Sequence, residues 1–136
     1  MPDSIKIEAV TLAQMSAHAR KSAGEECCGL LAGRGGQIMR AFLATNAAKD
    51  PATSYEIAPK ELFHMMREIR AAGLELLGIY HSHPVGLDEP SARDIERAFY
   101  PDAAYFIISP RAGAEQAVRA FTILDGRAAE LQILVI

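Results

Sequence analysis

The chain has 136 residues and a mass of 14.7 kDa, and 50% of its residues are hydrophobic and 23% charged, which is typical of one compact domain. Its net charge of −3 argues against a broad nucleic-acid-binding surface. The N-terminal residues lack a signal-peptide pattern, and no apolar run reaches the roughly 18 residues of a membrane helix. We therefore expect residues 1–136 to form a single cytoplasmic domain that binds neither nucleic acid nor membrane.

The first part of the chain predicts a strand, a helix and a hairpin. Residues 5–10 predict a short strand, and Thr11 is the expected N-cap of a helix that runs to about Ser22. The turn Arg34-Gly35-Gly36 then indicates a hairpin. The two strands of that hairpin are predicted at residues 28–33 and 37–45.

The middle and the end of the chain alternate in the same way. An extended piece at residues 55–57 precedes a helix that Pro59 begins and Gly73 ends. The apolar run Leu74 to His83 indicates a central strand that is covered on both faces. The remaining predicted elements are a helix from Ser91 to about Phe99, a strand from Tyr105 to Ser109, and a hairpin of residues 117–124 and 129–136 around Asp125-Gly126.

One cluster of residues is a candidate metal site: His81-Ser82-His83-Pro84, followed by Ser91 and Asp94. In an extended strand, His81 and His83 leave the same face with Cα atoms about 7 Å apart, so both rings can converge on one ion. Imidazole suits zinc, and a catalytic zinc site has three protein ligands and one open position. Asp94 is the natural third ligand, because the loop after Pro84 is long enough to return the next helix to the strand end.

Two alternatives accompany this interpretation. An isolated His at a strand end is usually structural, although a pair spaced by two residues favours metal binding. Ser91 and Asp94 also fit a helix start, in which Ser91 caps and Asp94 favours the positive end of the dipole. We expect an Asp that binds metal not to be used mainly for capping, and we favour metal ligation by Asp94. His18 and His64 are expected at the surface, without a role.

The zincin pattern H-E-x-x-H is absent, so another element must supply a catalytic carboxylate. Upstream, the segment Glu26-Cys27-Cys28-Gly29-Leu30-Leu31 precedes the histidines, and the whole pattern E-x-C-G-L-L with H-S-H-P-x6-S-x-x-D resembles the JAMM motif of the MPN-plus (JAB/MPN) metalloprotease family. Asn46, residues 55–59, residues 78–80 and the terminal hairpin also resemble its short, stand-alone prokaryotic members.

The resemblance implies a set of roles. One zinc ion per chain would be held by His81, His83 and Asp94, with Glu26 as general base and Ser91 stabilising the oxyanion. Glu26 is chosen over its neighbour Glu25 because it stands three residues before Gly29, as the motif requires. Cys28 shares the face of Glu26 in a straight strand and could approach the site, but it is more simply a buried small hydrophobe and is not counted as a ligand.

The resemblance also implies the fold and the reaction. The expected fold is α+β and α/β/α sandwich-like, with a mixed, curved sheet and about three helices, as in MPN and cytidine-deaminase-like domains. The expected activity is hydrolysis of a peptide or isopeptide bond after the C-terminal Gly-Gly of a ubiquitin-like or ThiS/MoaD-type sulfur-carrier protein, with residues 55–57 as an edge strand for docking. The alternatives are a non-catalytic MPN scaffold and a metal-dependent amidase acting on a small molecule. A homodimer is compatible with the sequence.

Overall fold

The computed structural model describes residues 3–22, 24–110 and 117–136, which contain seven strands and three helices. The strands are β1 (Ser4–Ile7), β2 (Cys28–Arg34), β3 (Gln37–Ala44), β4 (Glu75–Ser82), β5 (Ala104–Ile108), β6 (Val118–Leu124) and β7 (Arg127–Val135). The helices are α1 (Ala9–Lys21), α2 (Pro59–Ala71) and α3 (Ala92–Glu96). None of these helices has the length and apolar character needed to cross a membrane.

The seven strands form one mixed sheet in the order β1-β3-β2-β4-β5-β6-β7. The sheet closes into a barrel because β1 pairs in parallel with both β3 and β7. Strand β4 lies between β2, which is antiparallel to it, and β5, which is parallel. The predicted mixed, curved sheet is confirmed, and the histidine-bearing strand lies at its centre.

Two apolar clusters lie on opposite faces of the central strands, since successive strand residues alternate in direction. One cluster contains Met15 and Ala19 of α1 with residues from all seven strands. The other contains Met65 and Ile69 of α2 with residues from β2 to β6. The helices α1 and α2 therefore cover opposite faces, and the predicted α+β, sandwich-like class is confirmed.

Both predicted hairpins are present, and their turns have the backbone geometry that the sequence indicates. Gly35 and Gly36 have φ angles of 57° and 73°, and Asp125 and Gly126 have 50° and 76°. Two successive positive φ angles are typical of the type I′ turn, which matches the twist of the flanking strands. These turns fix the register of β2 with β3 and of β6 with β7.

Gly29 of the E-x-C-G-L-L segment allows a close approach between the two central strands. It pairs with Tyr80 across β2 and β4, and a Cβ at this position would lie 2.4 Å from the Tyr80 ring.

The Tyr80 hydroxyl lies 2.7 Å from Nδ1 of His18, which is half-buried on α1. The prediction that His18 lies at the surface is therefore wrong, whereas His64 is exposed as predicted and pairs with Glu68.

Two helix boundaries differ from the prediction. Helix α1 begins at Ala9 with Glu8 as its N-cap, and Thr11 lies inside the first turn with its side chain buried in the core. Helix α3 ends at Glu96 rather than Phe99, since the Tyr100 N–H donates to the Tyr105 hydroxyl instead of to a helical carbonyl. Residues 55–57 form no strand; they lie in the connection between β3 and α2.

Candidate metal centre

The two motif histidines lie side by side at the end of β4. Both are buried, and their Nε2 atoms are 2.9 Å apart. Strand pairing continues to His83, whose N–H donates to the Ile108 carbonyl, and it stops at Pro84, which has no N–H to donate. The spacing of two residues thus places both rings on one face of the strand end.

Asp94 in the first turn of α3 completes a triangle of potential ligand atoms. Its Oδ2 lies 3.1 Å from the Nε2 atom of His81 and 3.1 Å from that of His83. In a tetrahedral site with metal–ligand distances of 2.0 to 2.1 Å, two ligand atoms lie about 3.3 Å apart. The three atoms are therefore spaced closely enough to bind one small divalent ion after a shift of a few tenths of an ångström.

The surroundings of His83 favour a cation in this triangle. Its Nδ1 lies 2.8 Å from the Leu87 carbonyl, which only accepts hydrogen bonds, so Nδ1 carries a hydrogen and neutral His83 presents a lone pair at Nε2. Burial by itself would lower the pKa of His83, but hydrogen bonding to Asp94 and Leu87 outweighs this effect and raises the pKa above its ordinary value. A cation, either a proton or a metal ion, is thus favoured between His83 and Asp94.

Asp94 also takes part in a capping box with Ser91. The Asp94 N–H donates to Ser91 Oγ at 3.1 Å, and the Ser91 N–H donates to Asp94 Oδ2 at 2.9 Å. The same carboxylate oxygen therefore caps α3, as the alternative interpretation expects, and also faces both histidines, so metal ligation by Asp94 stays a prediction that capping does not exclude. Burial raises the pKa of Asp94, but hydrogen bonds from His81, His83 and the Ser91 N–H outweigh it and hold that pKa well below its usual range.

Glu26 lies beside the histidines in the segment just before β2. One ligand atom from each of Glu26, His81 and His83 lies within 4.8 Å of the others, and this group could hold a metal ion. Glu26 is 6% exposed, and its Oε1 has no hydrogen-bond partner in the part of the chain that the structure describes. Burial, with the Asp94 charge, raises its pKa to about 7 against the opposing charges of His83 and Arg93.

Glu25 and Cys28 are not part of the group of ligand atoms, although Cys28 pairs with His81 across β2 and β4. Glu25 is exposed, in line with the register argument that favours Glu26. Cys28 is fully buried in the apolar cluster beneath α2, and burial raises the pKa of its thiol to about 12. The metal-ligand group among the described residues does not include it.

Ser82 and Asn46 position the Glu26 segment, and the sequence gives little signal for either role. The Cys27 N–H donates to Ser82 Oγ at 2.8 Å, which joins this segment to β4 between the two histidines. Asn46 Nδ2 donates to the Glu26 carbonyl at 2.9 Å and to the Ser54 carbonyl at 2.9 Å. The polar residue at the centre of H-S-H is the one available clue to the first contact.

The ring of Tyr55 covers one face of the His81 imidazole. Its ring stacks on His81 with centroids 4.4 Å apart and planes inclined by 21°. His81 Nδ1 is buried without a hydrogen-bond partner among the described residues, so stacking holds this ring. The largest effect on the pKa of His81 is burial, which lowers it. The imidazole therefore stays neutral, as a metal ligand must be.

A cavity of about 420 Å³ opens beside Asp94 and Tyr55. Its apolar wall includes Leu30, Ile57, Leu62, Ile79, Tyr100 and Tyr105. Arg93 of α3 and Arg97, the C-cap of this helix, line it as exposed cationic side chains. The site is therefore continuous with an apolar groove whose lining carries charges of both signs, from Arg93 and Arg97 and from Glu56 and Asp94.

The class of protein that this fold and this site define is a JAMM-type peptidase. A family model described as prokaryotic homologs of the JAB domain matches residues 8–124, and the chain belongs to this family. The prediction of the family from the motif is thus confirmed.

Similar proteins with curated names are peptidases. A desampylase from Haloferax volcanii is 39% identical over 99 residues, which cover 68% of this chain and 71% of that protein. A CysO-cysteine peptidase from Mycobacterium tuberculosis is 35% identical over 124 residues, covering 90% of this chain and 84% of the relative. Among solved structures, a solution structure of a Desulfitobacterium hafniense protein has a TM-score of 0.85 at 31% identity and covers 97% of this chain and 92% of that one.

Proposed function

We propose that the protein is a zinc-dependent peptidase or isopeptidase that cleaves the bond after the C-terminal Gly-Gly of a ubiquitin-like or sulfur-carrier protein. Residues 1–136 act as one JAB/MPN domain, in which His81, His83 and Asp94 hold the zinc ion. The observation that carries the proposal is the triangle of ligand atoms, 2.9 to 3.1 Å apart, beside the buried carboxylate of Glu26, whose Oε1 has no hydrogen-bond partner among the described residues. The names desampylase and CysO-cysteine peptidase of two relatives support the substrate class.

The mechanism assigns acid–base work to Glu26 and oxyanion stabilisation to Ser91. A zinc ion at this site would supply Lewis acidity toward the scissile carbonyl and would lower the pKa of the attacking water. Glu26 takes a proton from that water and gives it to the leaving amine; in the metal-free protein, burial raises the pKa of this carboxyl to about 7. Ser91 Oγ accepts the Asp94 N–H, so its own O–H is available to donate to the oxyanion.

The groove beside the site favours a protein tail as substrate. The backbone N–H and C=O groups of Tyr55 and Ile57 form no hydrogen bond within the described ranges, whereas those of Glu56 are used by Asn46 and Ala47. An extended peptide can pair with such free groups, although the structure has no regular edge strand there. Two glycines, which carry no side chains, then reach the site beside Asp94 with little steric demand.

The test is zinc analysis of the purified protein, followed by cleavage of a carrier fusion extended past Gly-Gly, with and without a chelator. We expect His83→Ala and Asp94→Ala to lose both zinc and cleavage, and the exposed His64→Ala to keep both as the matched control. Absence of stoichiometric zinc from the parent protein, or cleavage that survives complete removal of metal, would refute the proposal.

The same experiment separates the two alternatives. A scaffold would bind the fusion without cutting it, and its capture would not depend on His83 or Asp94. A small-molecule amidase would hydrolyse short acyl amides in a zinc-dependent manner while leaving the carrier fusion intact. The unpaired backbone at Tyr55 and Ile57 favours a protein over a small amide, and the triangle of ligand atoms beside Glu26 favours an enzyme over a scaffold.

A further inference from the structure

Residues 84–90, which connect β4 to α3, are attached to the barrel by polar contacts that the proposed mechanism does not use. Ser109 Oγ, just after β5, donates to the Asp88 carboxylate, and Arg119 Nη1 of β6 donates to the Asp88 carbonyl at 3.1 Å. Both contacts converge on one residue. That residue follows Leu87, whose carbonyl faces His83 Nδ1.

The Leu87 carbonyl is not held in place by its own side chain, which is 72% exposed. Its position must therefore come from its neighbours in the chain, and Asp88 is fixed through both its side chain and its main chain. Ser109 provides a rigid attachment, because it is buried and its N–H donates to the Ala117 carbonyl at 2.8 Å.

Arg119 is held in a defined orientation before it reaches the loop. Its Nε and Nη2 donate to the two carboxylate oxygens of Glu130 on β7, at 2.9 and 2.8 Å, which is the bidentate geometry specific to arginine. The guanidinium also lies 5.1 Å from the ring centre of Phe121. The remaining nitrogen, Nη1, is thereby directed at the Asp88 carbonyl.

We propose that Asp88, Ser109 and Arg119 form a positioning clamp that keeps the Leu87 carbonyl against His83 Nδ1 and so presents the His83 Nε2 lone pair to the metal. The inference rests on the proposed function, because a clamp on His83 matters only if His83 binds the metal. Partners that orient a metal-ligating histidine typically contribute about 10- to 100-fold in metal affinity or activity. No clamp residue contacts the substrate groove described above.

The test uses Arg119→Met and Ser109→Ala, with Arg40→Met as the matched control. Arg40 also lies over a phenylalanine ring, at 4.6 Å from the centre of Phe42, but on β3 and without contact to residues 84–90. Two measurements are made: zinc affinity by competition with a chromophoric chelator, and the NMR signal of the His83 Nδ1 hydrogen in the metal-free protein. The second measurement does not depend on turnover.

We expect Arg119→Met and Ser109→Ala to weaken zinc binding by about 10- to 100-fold and to lose the protected Nδ1 hydrogen signal through exchange with water. Arg40→Met should match the parent in both. Unchanged zinc affinity and an unchanged Nδ1 signal in Arg119→Met would overturn the inference. Arg119 is partly exposed, so this variant still tests the clamp if Ser109→Ala does not fold. If the parent binds zinc but cuts no carrier fusion, the proposed function fails while the clamp is still tested.

Discussion

Replacement of Glu26 by Gln should greatly reduce turnover and at the same time stabilise the metal-free protein. The amide keeps the shape of the carboxylate but cannot take a proton, so we expect turnover to fall by about 10² to 10⁴, or roughly 3 to 5 kcal/mol in the barrier. Zinc content should be retained, because His81, His83 and Asp94 are unchanged. The exposed neighbour offers the control, since Glu25→Gln should leave both properties as in the parent.

The stabilisation follows from the burial of Glu26. Its pKa rises from 4.5 to about 7, so the native state binds the proton more tightly than the unfolded chain does. Stability of the metal-free parent therefore falls as the pH rises from about 4.5 to about 7, and the loss persists above that range. At 1.36 kcal/mol per pH unit, the difference of about 2.5 corresponds to roughly 3 kcal/mol, or roughly 10 °C in Tm for a chain of this length.

The assay is thermal unfolding with a chelator at a pH of about 4 and of about 8. Glu26→Gln should melt close to the parent at the lower pH, where the parent carboxyl is neutral in both states, and clearly above it at the higher pH. A difference in Tm that is the same at both values would refute the argument from burial. Turnover of Glu26→Gln at the parental rate would refute its assignment as the base.

Three further predictions concern residues around the site. Tyr55→Ala should weaken zinc binding about tenfold by releasing the stacked His81 ring, as measured by chelator competition, and Tyr55→Phe should behave like the parent. Ser82→Ala should reduce the free energy of unfolding by about 1 to 3 kcal/mol in urea titrations, because it leaves the buried Cys27 N–H without an acceptor, and full parental stability would contradict this. Alkylation at neutral pH should be slow for native Cys27 and Cys28, whose thiols have raised pKa values, and fast in denaturant; rapid native labelling would disprove their burial.

The proximity of His81, His83, Ser91 and Asp94 could be predicted from the sequence because the signals for it are local. The spacing of His81 and His83 needs only the alternation of a strand, and the Ser91 to Asp94 spacing needs only one turn of helix. Glu26 is different, since no local pattern brings it to the histidines. Its place depends on the pairing of β2 with β4, and the motif resemblance supplied it where periodicity did not.

The predictions that were wrong depended on tertiary contacts. Thr11 has the side chain of a good N-cap, but burial of that side chain in the core moves the helix start to Ala9. The run Tyr55 to Ile57 has the composition of a strand, yet Asn46 binds its backbone and Tyr55 packs on His81 instead of joining the sheet. Sequence patterns report which side chains prefer a strand, not whether a neighbouring strand is available.

Closure of the sheet by β1 affects how the molecule behaves in a crowded solution. A sheet that ends in open strands offers unpaired backbone to other copies of itself, which is a common route to aggregation. Here all four residues of β1 pair with β7, and Lys6 and Ile7 also pair with β3, so neither terminal strand of the order is left open. The closed order therefore leaves a second copy of the chain no unpaired terminal strand to join, whereas β3 beyond Ile38 is paired on one side only among the described residues.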